Sequence, residues 1–274
     1  MTQTAIAPEM DALKTKLKKV WEAGDYGVFA RYMESGAIEF FDRLGIERGT
    51  KMLDVGCGSG QLTIPAAKRG IDVTALDLAE NLVQQARERA KAEGLDIQID
   101  QGDAEELPHG DEEFDVTMSF IGSMFAPRPE RVAAEKIRVT RPGGKIIMGN
   151  WTPEGHVGQM FKVIGRHVPP PSIFPSPLMW GKEDVVRERF GNGISDLKVT
   201  KRMFPFHYPF GPEDVADLFI NYYGPTYMAY RSLDEEKRKD FRSDLAAIWA
   251  QDNMSNNGVT IVDAEYIEVV ATRA

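Results

Sequence analysis

Residues 53–60 read Leu-Asp-Val-Gly-Cys-Gly-Ser-Gly. The stretch begins as a buried strand, with Leu53 and Val55 as strand formers. It then runs into three alternating glycines, Gly56, Gly58 and Gly60, which permit positive φ and a close approach of backbone to a ligand. Such a turn at a helix N-terminus leaves backbone N–H groups free to meet whatever sits above the strand ends. The spacing is G-x-G-x-G after an acid, Asp54, and differs from the G-x-G-x-x-G of nicotinamide and flavin folds. A carboxylate at position 54 would repel a pyrophosphate and suits a ligand that carries positive charge. An ordinary strand–helix turn is the plain alternative.

The following segments favour a nucleoside site. Residues 72–77, Asp-Val-Thr-Ala-Leu-Asp, form a second short strand that ends in an acid. Asp77 stands 17 residues beyond Gly60, near the offset of roughly 20 at which an acid accepts from ribose hydroxyls. A helix with Ala79, Leu82, Val83, Ala86 and Ala90 on one face comes next. Residues 96–100 read as a third strand and 102–105 as its exit loop, where Asp103 is placed to accept from an adenine amino group. Residues 114–120 form a fourth strand, and Arg141-Pro142-Gly143-Gly144 turns into a fifth at 145–150.

Five segments in this order resemble the class I S-adenosylmethionine-dependent methyltransferases, in the ubiquinone/menaquinone-type branch: 53–60, 75–82, 102–107, 114–120 and 139–144. The likeness covers roughly 100 residues of the chain. It implies an α/β, Rossmann-like, seven-stranded and mostly parallel sheet with helices on both faces and the last strand antiparallel, where periodicity alone gives only a parallel α/β sheet. It implies S-adenosyl-L-methionine as cofactor, with S-adenosyl-L-homocysteine as product. Cofactor contacts are expected from Tyr26, Arg31, Asp54, Gly56, Cys57, Gly58, Ser59, Gly60, Asp77, Leu78, Asp103, Ala104, Glu105, Ser119 and Ile121. For Tyr26 and Arg31 the alternative is a turn cap and a solvent-facing side chain.

Composition sets limits. The chain has 274 residues, 42% hydrophobic and 27% charged, with formal net charge −9. That balance argues against duplex nucleic acid, which needs a basic footprint, and no run of 18 apolar residues suggests stable membrane insertion. Residues 1–9 read as a polar, frayed end. One cysteine rules out an intramolecular disulfide and fits a reducing cytoplasm. Cys57 reads as a small turn residue rather than a nucleophile. Four scattered histidines give no metal pattern, though carboxylates alone leave magnesium open. No Gly-x-Ser-x-Gly elbow occurs.

The remainder reads as a helical cap on one domain spanning 1–274. Residues 1–48 form an N-terminal helical segment, with helices at 10–22 and 28–44. Residues 49–151 form the cofactor core, 152–258 the substrate-covering insertions around strand six, and 259–274 the last strand. The insertions follow strands five and six (194–206), with helices at 151–165, 183–190 and 213–223 and another opening on the Ser232-Leu233-Asp234-Glu235 capping box. A proline-rich loop contains Pro169, Pro170, Pro171, Pro175 and Pro177. Aromatic and methionine side chains are frequent here: Met160, Phe161, Phe174, Met179, Trp180, Phe204, Phe206, Tyr208, Phe210, Tyr222, Tyr223 and Tyr227. Some are core; the rest suit a pocket for a small aromatic or apolar acceptor. His207, Tyr222 and Tyr223 are the catalytic candidates, with His207 as base or orienting group and a structural histidine as its alternative.

The expected activity is in-line methyl transfer to that small-molecule acceptor, by a monomer or homodimer. A non-catalytic S-adenosylmethionine-binding protein shares every core motif, and a nucleotide-dependent oxidoreductase shares the sheet.

Overall fold

The computed structural model describes residues 8–274, so most of the N-terminal stretch read as frayed lies outside the described residues. Three helices, α1 (Pro8–Glu22), α2 (Tyr26–Ala30) and α3 (Glu34–Arg43), precede β1 (Lys51–Val55). Then come α4 (Thr63–Lys68), β2 (Asp72–Asp77), α5 (Glu80–Ala92), β3 (Gln98–Gln101) and β4 (Phe114–Phe120). The second half contains α6 (Pro129–Val139), β5 (Thr140–Trp151), α7 (His156–His167), α8 (Glu183–Phe190) and β6 (Ile194–Tyr208). It closes with α9 (Pro212–Tyr222), α10 (Gly224–Ser232), α11 (Glu235–Gln251) and β7 (Thr260–Arg273).

The seven strands lie in the order β3-β2-β1-β4-β5-β7-β6. β1 to β5 pair in parallel, and β7 is antiparallel to both β5 and β6. The chain order reverses between β1 and β4, so the crevice at their carboxyl ends is where a sheet of this topology receives a ligand. Met52 to Val55 are buried throughout, as expected of a central strand covered by helices on both faces.

The expected helix at 28–44 is two helices. Phe29 of α2 packs edge-on against Phe219 of α9, centroids 4.8 Å apart, whereas Phe40 of α3 stacks on Phe120 of β4 at 4.4 Å. The chain bends at residues 31–33 between these two contacts. Gly36 lets α3 settle on β6, since a Cβ there would lie 2.2 Å from Phe204 Cε2. Trp151, expected to open a helix, instead ends β5 opposite Tyr266. The turn expected before strand five is an irregularity within β5, with Gly143 at φ +74° and the register to β4 shifting between Phe114 and Val116. α10 was not foreseen.

β6 alternates strictly at its end: Phe204, Phe206 and Tyr208 are buried, and His207 between them is exposed. α11 lies against α9 and α7, and Trp249 is its anchor, fully buried against Phe219, Tyr208 and His156. Trp249→Ala is expected to cost about 3–5 kcal/mol of stability, the range for truncating a buried aromatic side chain. Denaturant unfolding measures it; a loss under about 1 kcal/mol would contradict this packing.

Candidate functional site

A cavity opens at the carboxyl ends of β1, β2 and β4, under the helices that precede β1 and follow β5 and β6. Its polar end is the glycine turn. Gly56 and Gly58 have φ of +76° and +56°, a region that L side chains rarely adopt. A Cβ on Gly56 would lie 2.9 Å from Gly122 Cα, so the turns after β1 and β4 touch backbone to backbone. Ile121, just before Gly122, holds φ +59° although it is β-branched, and its N–H donates to Gly149 O at 2.9 Å. Strain of this kind persists only where the surroundings enforce it, and it collects at functional sites.

Asp77 ties the turn to β2. Its carboxylate accepts from the N–H of Gly58 at 2.8 Å and of Ala79 at 2.9 Å. Burial raises its pKa while those N–H bonds oppose the shift. Each oxygen retains a lone pair for a further donor, which suits a vicinal diol. Asp54 lines the cavity and is also engaged within the fold. Its carboxylate accepts from the Thr63 hydroxyl at 2.6 Å, binding strand to helix, and burial pushes its pKa up to about 6. Lys136 provides the charge opposite, itself fully buried and lowered by burial to about 7. Asp54 therefore supports the floor of the cavity as much as it faces a ligand. The Cys57 thiol is raised by burial and by the charges of Asp77 and Asp54, which leaves it a protonated turn residue.

Of the expected cofactor residues, Tyr26, Asp54, Gly56, Cys57, Gly58, Asp77, Leu78, Asp103, Ala104 and Ile121 line the cavity. Arg31 is exposed and does not line this cavity; it borders a neighbouring surface groove with Gln85 and Glu88, which Ser59 and Gln61 at the end of the glycine turn also line. Ser59 turns toward α5, its carbonyl accepting from Arg89 at 2.8 Å. Gly60 packs on Ile64 and Ala86. Glu105 is buried and bound by the N–H and Nε of Arg128 and by Lys14. Ser119 donates to Val55 O and accepts from Ser123 N–H, joining β4 to β1 and to the following turn. None of these five lines the cavity; Ser59, Gly60, Glu105 and Ser119 act on its frame.

Among the catalytic candidates only Tyr223 reaches the cavity. His207 points outward because Phe206 points inward, successive strand residues facing opposite ways. Tyr222 is half-buried at the end of α9, off the cavity wall. Of the twelve aromatic and methionine residues singled out in the insertions, Met160, Phe206 and Tyr223 line it.

Several lining residues were not anticipated. α1 contributes Lys14, Leu17 and Trp21, spaced along one face, and Lys14 forms an ion pair with Asp103 across the opening. Phe29, Phe125, Trp151 and Phe219 complete an aromatic end. The 10–22 periodicity predicts the α1 face, but nothing local tells where that face docks.

The cradle fits S-adenosylmethionine: two glycines at positive φ, one of them in backbone contact with Gly122, an acid with lone pairs free for a diol, and apolar flanks from Leu78, Ala104 and Ile121. A family model described as "Methyltransferase domain" matches residues 53–148. An uncharacterized protein of Mycobacterium tuberculosis is 40% identical over 236 residues, covering 85% of this chain and 86% of that one. The YcgJ protein of Bacillus subtilis superposes with a TM-score of 0.60 at 15% identity, over 86% of this chain and 97% of that chain. Phosphoethanolamine N-methyltransferase 2 of Haemonchus contortus, solved with S-adenosyl-L-methionine, superposes with a TM-score of 0.54 at 20% identity, over 86% of this chain and 51% of that chain.

Asp77→Ala is expected to weaken S-adenosylmethionine binding by about tenfold or more, the equivalent of losing one charge-assisted hydrogen bond of about 1.5–3 kcal/mol. Calorimetry on the folded variant checks it, and unchanged affinity would contradict the diol role. Gly58→Val, placing a branched side chain at φ +56° facing Tyr26, is expected to abolish binding in the same assay.

Proposed function

The chain belongs to the class I S-adenosylmethionine-dependent methyltransferases, and from that premise we propose that it methylates a small, apolar or aromatic molecule held at the inner end of the cavity. The observation that carries this is continuity: one cavity runs from the glycine turn to the rings of Phe29, Phe125, Trp151, Phe206, Phe219 and Tyr223. The cofactor supplies an electrophilic methyl group on a sulfonium. Everything else falls to the chain's own residues.

In this reading Asp77 holds the ribose hydroxyls, Leu78, Ala104 and Ile121 flank the adenine, and Gly56 and Gly58 admit the chain that leads to sulfur. Tyr26 marks the border between the two ends. Its hydroxyl lies 3.8 Å from Met33 Sδ, and burial and the charge of Asp77 raise its pKa. The segment 152–258 selects the acceptor: α7 contributes Val157 and Met160, and α9 contributes Phe219. Such walls exclude water and hold the acceptor in line, which is most of what direct methyl transfer asks of a protein. Among the described residues no helix is long and apolar enough to cross a membrane.

The test is release of S-adenosylhomocysteine with a panel of apolar acceptors. Met160→Ala and Tyr223→Leu are expected to raise the acceptor KM about tenfold or more while S-adenosylmethionine affinity stays within about twofold. His207→Ala, on the outer face, is expected to change neither. If Met160→Ala and Tyr223→Leu left turnover untouched and His207→Ala reduced it, the acceptor would lie elsewhere.

A further inference from the structure

The inner end of the cavity is walled by rings set on different planes. Trp21 lies 4.9 Å from Phe125, 5.8 Å from Tyr223 and 6.1 Å from Tyr26, with 60°, 79° and 84° between ring planes. Phe29 closes the group, 5.1 Å from Tyr223 and 5.4 Å from Tyr26. All five side chains line the cavity. At these separations the rings pack on one another, and the ring surface they leave toward the cavity is an aromatic wall of the kind that attracts an onium cation.

The titratable groups on the same cavity are already engaged. Asp54 accepts from Thr63, Asp77 from Gly58 and Ala79, and Asp103 is paired with Lys14. Tyr26 and Tyr223 are held protonated by burial, as is Cys57. None of the described histidines lines the cavity; His156 has its Nδ1 on Asp252, 2.7 Å away. An alcohol that must lose a proton as it attacks finds no group on the aromatic wall to receive it. A nucleophile that attacks through a free lone pair needs none.

We infer that the acceptor is an apolar amine that reacts as its neutral free base and leaves as an ammonium ion held by Trp21, Tyr26, Phe29, Phe125 and Tyr223. This rests on the methyl-transfer reading of the same cavity. In the step, the nitrogen lone pair forms the N–C bond while the S–C bond breaks and its electron pair returns to sulfur, leaving a thioether. The positive charge passes from sulfur to nitrogen, and with a tertiary amine no proton moves. The ring faces attract that charge as it develops, which a purely aliphatic wall would not do.

Two measurements test this. The first is calorimetric binding of benzyltrimethylammonium and of its uncharged carbon isostere, in the presence of S-adenosylhomocysteine. Trp21→Leu and Tyr223→Leu are expected to weaken the cation about tenfold and the isostere less than about threefold, with Trp21→Phe restoring most of the loss. The second is turnover of N,N-dimethylbenzylamine, benzyl alcohol and benzyl mercaptan with product mass detection. The quaternary ammonium product is expected, with a rate that rises with pH along the amine's own titration. Equal losses for cation and isostere, or an ether or thioether product without the ammonium product, would overturn the inference and leave methyl transfer standing. Failure of the wild-type protein to bind S-adenosylhomocysteine would strike the underlying reading instead.

Discussion

The tight course of the chain between β1 and α4 is joined to the neighbouring strands by two contacts on which the site depends. Asp77 accepts from the Gly58 N–H at the end of β2, and Gly56 meets Gly122 with no side chain between them. The second contact fixes the turn after β4, where Ile121 sits at positive φ. Three strand ends are thereby locked into one rim, and each element that covers the rim must fit this spacing. Substituting either glycine would disturb both the ligand surface and the joint between β1 and β4, so fold and site share one constraint.

Around that rim the residues divide by chemistry. Charged groups near the glycine turn are met in different ways: Asp103 and Glu105 pair with Lys14 and Glu105 also with Arg128, Asp54 accepts from Thr63 with the charge of Lys136 nearby, and Asp77 is met by backbone N–H groups. Buried carboxylates are tolerable only with such partners. The other end of the cavity combines helix residues such as Trp21, Phe29 and Phe219 with Phe125, Trp151 and Phe206 from the sheet and the turn after β4. α1 lies across the opening and touches both ends at once, Lys14 at the polar side and Trp21 at the aromatic side. The polar and aromatic ends are therefore joined through a helix that precedes the sheet in sequence.

The core was legible because its signals are local. A strand, a glycine turn and a strand-ending acid lie within 25 residues (53–77), and each has a physical reason to sit where it does. The seven strands and the antiparallel last one followed from the family likeness, while the strand order came from the structure. The cap was harder. His207 drew attention through its aromatic neighbours, yet the same neighbours settle its direction: with Phe204, Phe206 and Tyr208 inward, His207 faces out. Period two was the signal, and it was in the sequence. The break between α2 and α3 had no such sign, because it arises from Phe29 and Phe40 packing on elements far along the chain. The same holds for Phe125 and Trp151, whose places on the wall depend on how β4 and β5 end.

The central claim is that cofactor lies over the Gly56–Gly58 turn with its ribose at Asp77 and its sulfur toward the aromatic end. A crystal structure with S-adenosylhomocysteine tests it most directly. The account predicts both ribose hydroxyls within hydrogen-bond distance, about 2.5–3.2 Å, of the Asp77 carboxylate, and sulfur facing Tyr223 and Phe125. Density for the nucleoside away from Asp77, or sulfur directed out past Lys14 to solvent, would contradict it.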